Sequence, residues 1–577
     1  MNKEQLLHRC KTNEDIAPLV KEILQEADQQ LARTIPELTY SLFSLFQLNG
    51  DREQYQQIYF GRRSRVNVLT IAYLVTQDDR YAQALNDTLW SICDEYTWSL
   101  PAHLSDSKAL QHRQQVDLFA TETAHMLAEI RFLLGDLLPQ QVSERIRDEV
   151  EQRVFTPVFD RAEALGWETA THNWSAVCGG AIGMAAMLLE QDEVRLEHML
   201  NRLLLVMDCY LSGYGEDGGC AEGVAYWEYG FGFFFYFADM LREHTQGQIN
   251  LLTGERLKAI ASFPERIHLS GDTFANYSDA PEQITLQPGL LSRLTEHQGR
   301  KSSLHGVVPS YHADPCYRWA HLIRNLAWTD LTRFSDDSSV GLSVFHDLSW
   351  FIDVRDIGKS VAFTMKGGHN AEPHNHNDIG HLMVHGNGVN LLCDLGYGLY
   401  TKEYFGDGRY EVINNSSIGH SVPLINGVGQ AEGMDYHAVL LHAEETDTGC
   451  SIQLDLSQAY PKEARLQRLI RSCDWSCDTV NKRAELMLVD EFQLQEAGRV
   501  EERFVSWYKP SVADGKIIWE AADARLMMRY DSESLEAEVE PYHFQDHGGS
   551  LVTCYMTKLR VRELCSAYEI ELRLVLE

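Results

Sequence analysis

Residues 367–378 read GGHNAEPHNHND and hold three histidines, three asparagines, a proline and two acidic residues, with almost nothing apolar. No core strand or core helix is built from such a run. A metal site, a catalytic site or a solvated loop would each account for it. His374 and His376 are two apart, which on a strand turns both to one face. Asp394 ends the apolar run VNLLCDLG, and His420 follows the polar run NNSSIG. Neutral imidazoles with one carboxylate are the usual donor set for zinc or a similar divalent ion. The spacing is loose, and a His-rich loop with unrelated neighbours fits it equally well.

Three further segments carry chemistry-bearing side chains. In THNWSAVCGG (171–180), His172, Asn173 and Trp174 precede an apolar helix, where Asn173 or Thr171 would ordinarily be a cap. In DGGCAEGVAYWEYG (217–230), a Gly-rich turn containing Glu222 leads into a helix starting near Tyr226, whose default role is core packing. In TWSLPAHLS (97–105), Trp98 and His103 suit either a sugar-stacking loop or a plain connection between helices.

The elements that must position these residues change type along the chain. Up to about residue 330, segments such as 65–75, 81–93, 116–134 and 194–211 repeat apolar residues at three- and four-residue intervals, which predicts antiparallel helical hairpins. Segments 175–189 and 226–241 are apolar nearly all round and predict buried helices. From about residue 335 the runs at 339–356, 359–367, 389–396 and 568–576 are short, alternating and β-branched. Many strands without intervening helices predict an antiparallel sandwich. The fold class is therefore a helical domain over residues 1–330 followed by an all-β domain over 331–577.

Composition narrows the function. The formal net charge of −34 opposes nucleic acid and anionic membrane surfaces as partners. No apolar run reaches the roughly 18 residues of a membrane span, and the first residues lack the apolar segment of a signal peptide, so a cytoplasmic protein is expected, or an exported one if a leader has been removed. The 12 cysteines are scattered without paired spacing, as small buried hydrophobes in a reducing compartment are.

Taken together, these segments resemble one family, the heparinase II/III-like polysaccharide lyases, from about residue 90 to about 430. The resemblance implies an incomplete (α/α) toroid joined to an antiparallel β-sandwich, and cleavage of uronate-containing glycans by β-elimination. It implies a structural divalent metal, zinc with manganese or calcium as alternatives, held by His376, Asp394 and His420. His374 then faces the cleft. Tyr226, His172 and Asn173 join it as catalytic residues, with Trp98, His103, Trp174, Glu222 and Tyr410 on the substrate. The order His172-Asn173 reverses that of several relatives, so one of the two takes the family role. A second catalytic tyrosine falls on Tyr400, Tyr404 or Tyr410.

β-Elimination removes the weakly acidic C5 proton of a uronate, so the neighbouring carboxylate must be neutralised while charge develops on it. Asn173 and His374 suit that role. Tyr226 suits the acid, and the base on some substrates, while His172 is the candidate base for the opposite C5 epimer. A polyanionic substrate also needs a basic cleft, for which His103, His112, Arg113, Lys366 and Arg409 are available. The expected partner is an acidic oligosaccharide, glycosaminoglycan fragments ahead of alginate, taken up by a monomer or homodimer. Two alternatives remain open: a hydrolase using Asp217 and Glu222, which needs carboxylates about 5–10 Å apart, and a non-catalytic sugar-binding protein.

Overall fold

The apolar repeats of the first half fold as helices in the computed structural model, which describes residues 3–104, 112–335, 340–513 and 515–577. Ser105 and Ser339, at the edges of two of the segments above, lie outside the described residues. By contacts the chain forms two units. One comprises Met1–Tyr214, Tyr226–Lys258 and Thr285–Ser335; the other comprises Gly215–Ala225, Ala259–Ile284 and Asp336–Glu577. The single boundary expected near residue 330 is thus corrected. Two segments from the helical half, including a hairpin of His268–Ser270 with Thr273–Phe274, belong to the sheet unit.

In the helical unit, Leu118–Leu134 packs on Asn173–Leu189, which in turn packs on Glu193–Ser212. The all-round apolarity of 173–189 is explained by this burial: Val177, Ala181, Ile182 and Ala185 are fully enclosed. Small residues let the neighbours approach. A Cβ at Gly180 would lie 2.8 Å from the carbonyl oxygen of Phe233, which is backbone and cannot swing aside. Gly180→Ala is therefore expected to destabilise by about 1–3 kcal/mol through overpacking. Gly61→Ala, where a Cβ meets nothing within 4 Å, is expected to stabilise by up to about 1 kcal/mol from helix propensity. Denaturant midpoints of the two variants check the contrast.

In the sheet unit, Gly341–Phe345, Trp350–Asp356, Ser360–Lys366, Leu382–Gly386 and Val389–Leu392 form an antiparallel meander of five strands. An eight-stranded antiparallel sheet is built around Leu466–Asp478, Arg483–Gly498 and Cys565–Leu576. Its strands alternate: Ala484, Leu486 and Leu488 enter the core, while the residues between them are less buried. The two sheets share one apolar core, in which the rings of Phe363 and Trp475 stack at 5.9 Å. Among the described residues no helix is long and apolar enough to cross a membrane.

Candidate active site

The histidine-rich stretch is an excursion between two paired strands rather than a strand itself. Ser360–Lys366 and Leu382–Gly386 are neighbours, and the loop between them is closed by Lys366 N–H to the His381 carbonyl at 2.9 Å and Gly380 N–H to the Lys366 carbonyl at 2.7 Å. Pro373 and the left-handed backbone of His374, φ +58°, keep it from extending. The shared face expected for His374 and His376 on a strand is corrected accordingly. The two rings nevertheless converge, because both meet the same carboxylate.

That carboxylate is Asp279, which sequence reasoning missed. His374 Nδ1 lies 2.6 Å from Asp279 Oδ2, and His376 Nε2 lies 3.1 Å from Oδ1. The Tyr404 hydroxyl also donates to Oδ1, and the Arg409 guanidinium sits 3.5 Å from both oxygens. Burial works against the charge on Asp279. Hydrogen bonds from His374 and His376, with the charges of His374 and Arg409, outweigh it and hold the carboxyl far below its usual range. Burial likewise opposes the imidazolium of His374, but the bond to Asp279 and the negative charges of Asp279 and Glu222 raise its pKa above the ordinary histidine value. Glu222 Oε1 stands 3.6 Å from the outer nitrogen, Nε2. A non-glycine residue with φ near +58° carries a cost of about 1–3 kcal/mol, which such contacts offset.

Behind His374, ligand atoms of His376, Asp378, Asp394 and His420 lie within 4.8 Å of one another, all buried. Asp378 joins the three ligands expected from the sequence. The donor pattern fits a cation. His420 Nδ1 must donate to the Ser416 carbonyl at 2.8 Å, leaving a lone pair on Nε2. His376 Nε2 donates to Asp279, leaving a lone pair on Nδ1, only 3.3 Å from that of His420. Asp394 Oδ2 makes no hydrogen bond and lies 3.6 Å from His420 Nε2. Asp378 Oδ1 accepts from Lys366 Nζ at 2.7 Å, while its Oδ2 makes no hydrogen bond. Converging lone pairs and orphaned carboxylate oxygens in a sealed site are satisfied by a divalent ion. His381 flanks the cluster: its Nδ1 accepts from Ser421 N–H at 2.9 Å, and its Nε2 lies 3.4 Å from Asp394 Oδ2 without a hydrogen bond between them.

The helical unit brings a second set together. His172, not Asn173 or Thr171, is the N-cap of Asn173–Leu189; its Nδ1 accepts from Trp174 N–H at 3.5 Å. In that tautomer the outer nitrogen carries hydrogen, so the expected base role of His172 loses its lone pair. Asn173 is buried at the first helical position, and a Cβ at Gly230 would lie 3.1 Å from its Cα and Cβ. Gly230 follows Tyr226 by four residues in the helix Val224–His244, so Tyr226 and Gly230 share a face. Tyr226 itself is half-buried in the first turn. His103 and Trp174 also meet, with ring centroids 5.2 Å apart. His103 Nδ1 is 2.7 Å from Asp117 and its Nε2 is 3.4 Å from Arg52.

Other expected contacts do not hold. Trp98 is only 1% exposed and donates its indole N–H to the Ile92 carbonyl at 3.0 Å, so it packs the core and stacks on no sugar. Arg113 is tied to Glu149 at 2.6 Å and buried Lys366 to Asp378, which removes both as cleft cations. Tyr404 is fully buried under Asp279, whereas Tyr410 is half-buried and donates to Asn375 Oδ1 at 2.8 Å. His369 pairs in a short bridge with His437 and has no part in the cluster.

No family model matches the chain, and no curated protein matches it in sequence. Solved structures do match. The heparinase III described as the BT4657 gene product superposes with a TM-score of 0.63 at 13% identity, covering 96% of this chain and 84% of that one. A further heparinase III crystal structure gives 0.64 at 13% identity, covering 98% and 92%. The heparan sulfate lyase HepC from Pedobacter heparinus gives 0.62 at 11%, covering 100% and 92%. The chain therefore has the heparinase II/III-like fold, a helical part followed by antiparallel sheets.

Proposed function

We propose that the chain is a lyase that cleaves uronate-containing oligosaccharides, of glycosaminoglycan type, by β-elimination. The observation that carries this reading beyond the fold is His374. One ring nitrogen is tied to a buried carboxylate, and the ring's basicity is raised, which suits a proton-bearing donor to a substrate carboxylate. The family resemblance gives Asn173 of the helical unit the same task, as a neutral amide donor. With the carboxylate neutralised, Tyr226 takes the C5 proton, either as phenolate or in a concerted transfer. The electron pair of the C5–H bond becomes the C4–C5 double bond and the C4–O bond breaks. The leaving oxygen gains a proton, which Tyr226 delivers. Trp174, backed by the His103 ring, offers a stacking surface for a neighbouring sugar.

His376, Asp378, Asp394 and His420 would hold the metal, zinc in this reading. It supplies fixed positive charge that neutralises two buried carboxylates and braces the loop presenting His374. The competing hydrolase is disfavoured by Asp217, whose two oxygens accept backbone N–H groups of Gly219 and Asp347, each at 3.1 Å. A panel of hyaluronan, chondroitin, heparan and alginate oligosaccharides tests the proposal. Elimination produces an unsaturated uronate that absorbs in the ultraviolet. New reducing ends without that absorbance would establish hydrolysis, and binding without any product would establish a sugar-binding protein.

A further inference from the structure

We propose that Asp279 is the positioning residue that locks the reactive ring of His374 and the metal-ligating ring of His376 into one frame. The inference builds on the reading of those two residues given above. Asp279 lies in the fully buried run 276–280, directly after Ser278, whose backbone is left-handed at φ +66°. Its carboxylate receives one imidazole on each oxygen, His374 on Oδ2 at 2.6 Å and His376 on Oδ1 at 3.1 Å. The two remaining approaches are filled by the Tyr404 hydroxyl and the Arg409 guanidinium. Arg409 also grips the Asn375 carbonyl at 2.9 Å, between the two histidines.

The geometry has a mechanical consequence. A carboxylate is rigid and planar, so neither ring can turn about its own side chain without forfeiting a bond to a group that also fixes the other. His376 presents Nδ1 to the ligand cluster because Nε2 is committed to Asp279. His374 presents Nε2 outward because Nδ1 is committed to the same residue. Asp279 therefore selects, for both rings at once, which nitrogen faces its task, the carboxylate–histidine arrangement that tunes metal ligands. Tyr404 and Arg409 hold the carboxylate itself. An amide keeps both contacts only by forcing one ring into the other tautomer, because its NH2 head would otherwise face an imidazole N–H.

The test is zinc titration into metal-stripped full-length protein, in competition with a chromophoric chelator, for the native chain and for Asp279→Asn. The variant is expected to bind zinc about 10- to 100-fold more weakly. At saturating zinc its kcat is expected to stay at least about tenfold down while KM moves less than about threefold, because the substrate-facing ring is misaimed rather than lost. Zinc affinity within twofold of native overturns the proposal, as does a native chain that takes up none of zinc, manganese or calcium. If Asp279→Asn shows no cooperative melting, Tyr404→Phe decides. It keeps the carboxylate and removes one donor, and is expected to weaken zinc about threefold or more; unchanged affinity again overturns the idea. The zinc titration uses no glycan. Loss of zinc alongside a native chain that makes no unsaturated product would sink the lyase reading and leave the clamp standing.

Discussion

Tyr226→Phe is expected to keep glycan affinity within about threefold while kcat falls about 10²- to 10⁴-fold, the span that a positioned acid–base group contributes. At 1.36 kcal/mol per decade, that loss corresponds to roughly 2.7–5.4 kcal/mol of transition-state stabilisation. The substitution removes one oxygen and leaves the ring. Tyr226 is half-buried in the first turn of its helix, where an absent hydroxyl opens no core cavity, so the melting temperature should stay within about 1–2 °C. The helix is fixed by residues further along, including Gly230 against Asn173 and the enclosed Phe233 and Phe237. A kcat within fivefold of native would remove Tyr226 from the chemistry. Lost binding together with lost turnover would make the hydroxyl a substrate contact, and the proton would then need another carrier.

Much of the fold was legible because its signals are local. The apolar repeats of 116–134 and 194–211 became Leu118–Leu134 and Glu193–Ser212, and the short β-branched runs became strands. His376, Asp394 and His420 could be picked out as donors in a polar context. Asp279 could not, since its partners are 95, 97 and 125 residues away and nothing local marks a carboxylate that serves two histidines. The segment 259–284 reads as part of the helical half, since the helix Glu255–Ile267 opens it, although all of Ala259–Ile284 folds with the sheet unit. The stacking role expected of Trp98 fails for a related reason. An indole in a loop suits sugar stacking, but whether the loop lies over solvent or under Arg153 is decided by distant packing; here the guanidinium lies 4.7 Å from the ring.

If the His376, Asp378, Asp394 and His420 cluster holds the divalent ion proposed for it, stripping that ion is expected to cost the sheet unit about as much as a core mutation. The cluster places His376, Asp378, Asp394 and His420 in full burial, with Lys366 the cation bonded to Asp378. Burial, with the charge of Asp378 beside it, pushes the Asp394 carboxyl up, and burial, with the charge of His376, pushes the His420 imidazole down, which shows how poorly this site tolerates its own charges. A ligand present at about 1,000 times its dissociation constant stabilises the folded state by about 4 kcal/mol. At about 2.1 cal/mol/K of unfolding entropy per residue, a unit of this size shifts its melting temperature by a little under about 2 °C for each kcal/mol. Chelation should therefore lower the transition of the sheet unit by roughly 7 °C, and added zinc should restore it. His420→Ala should reproduce most of that fall without chelator and become insensitive to it, because the site is already broken. Calorimetry with and without chelator reads both effects. A melting temperature unmoved by chelator in the native chain would mean that these four side chains hold no ion, and that Lys366 and the flanking hydrogen bonds suffice to keep two carboxylates buried.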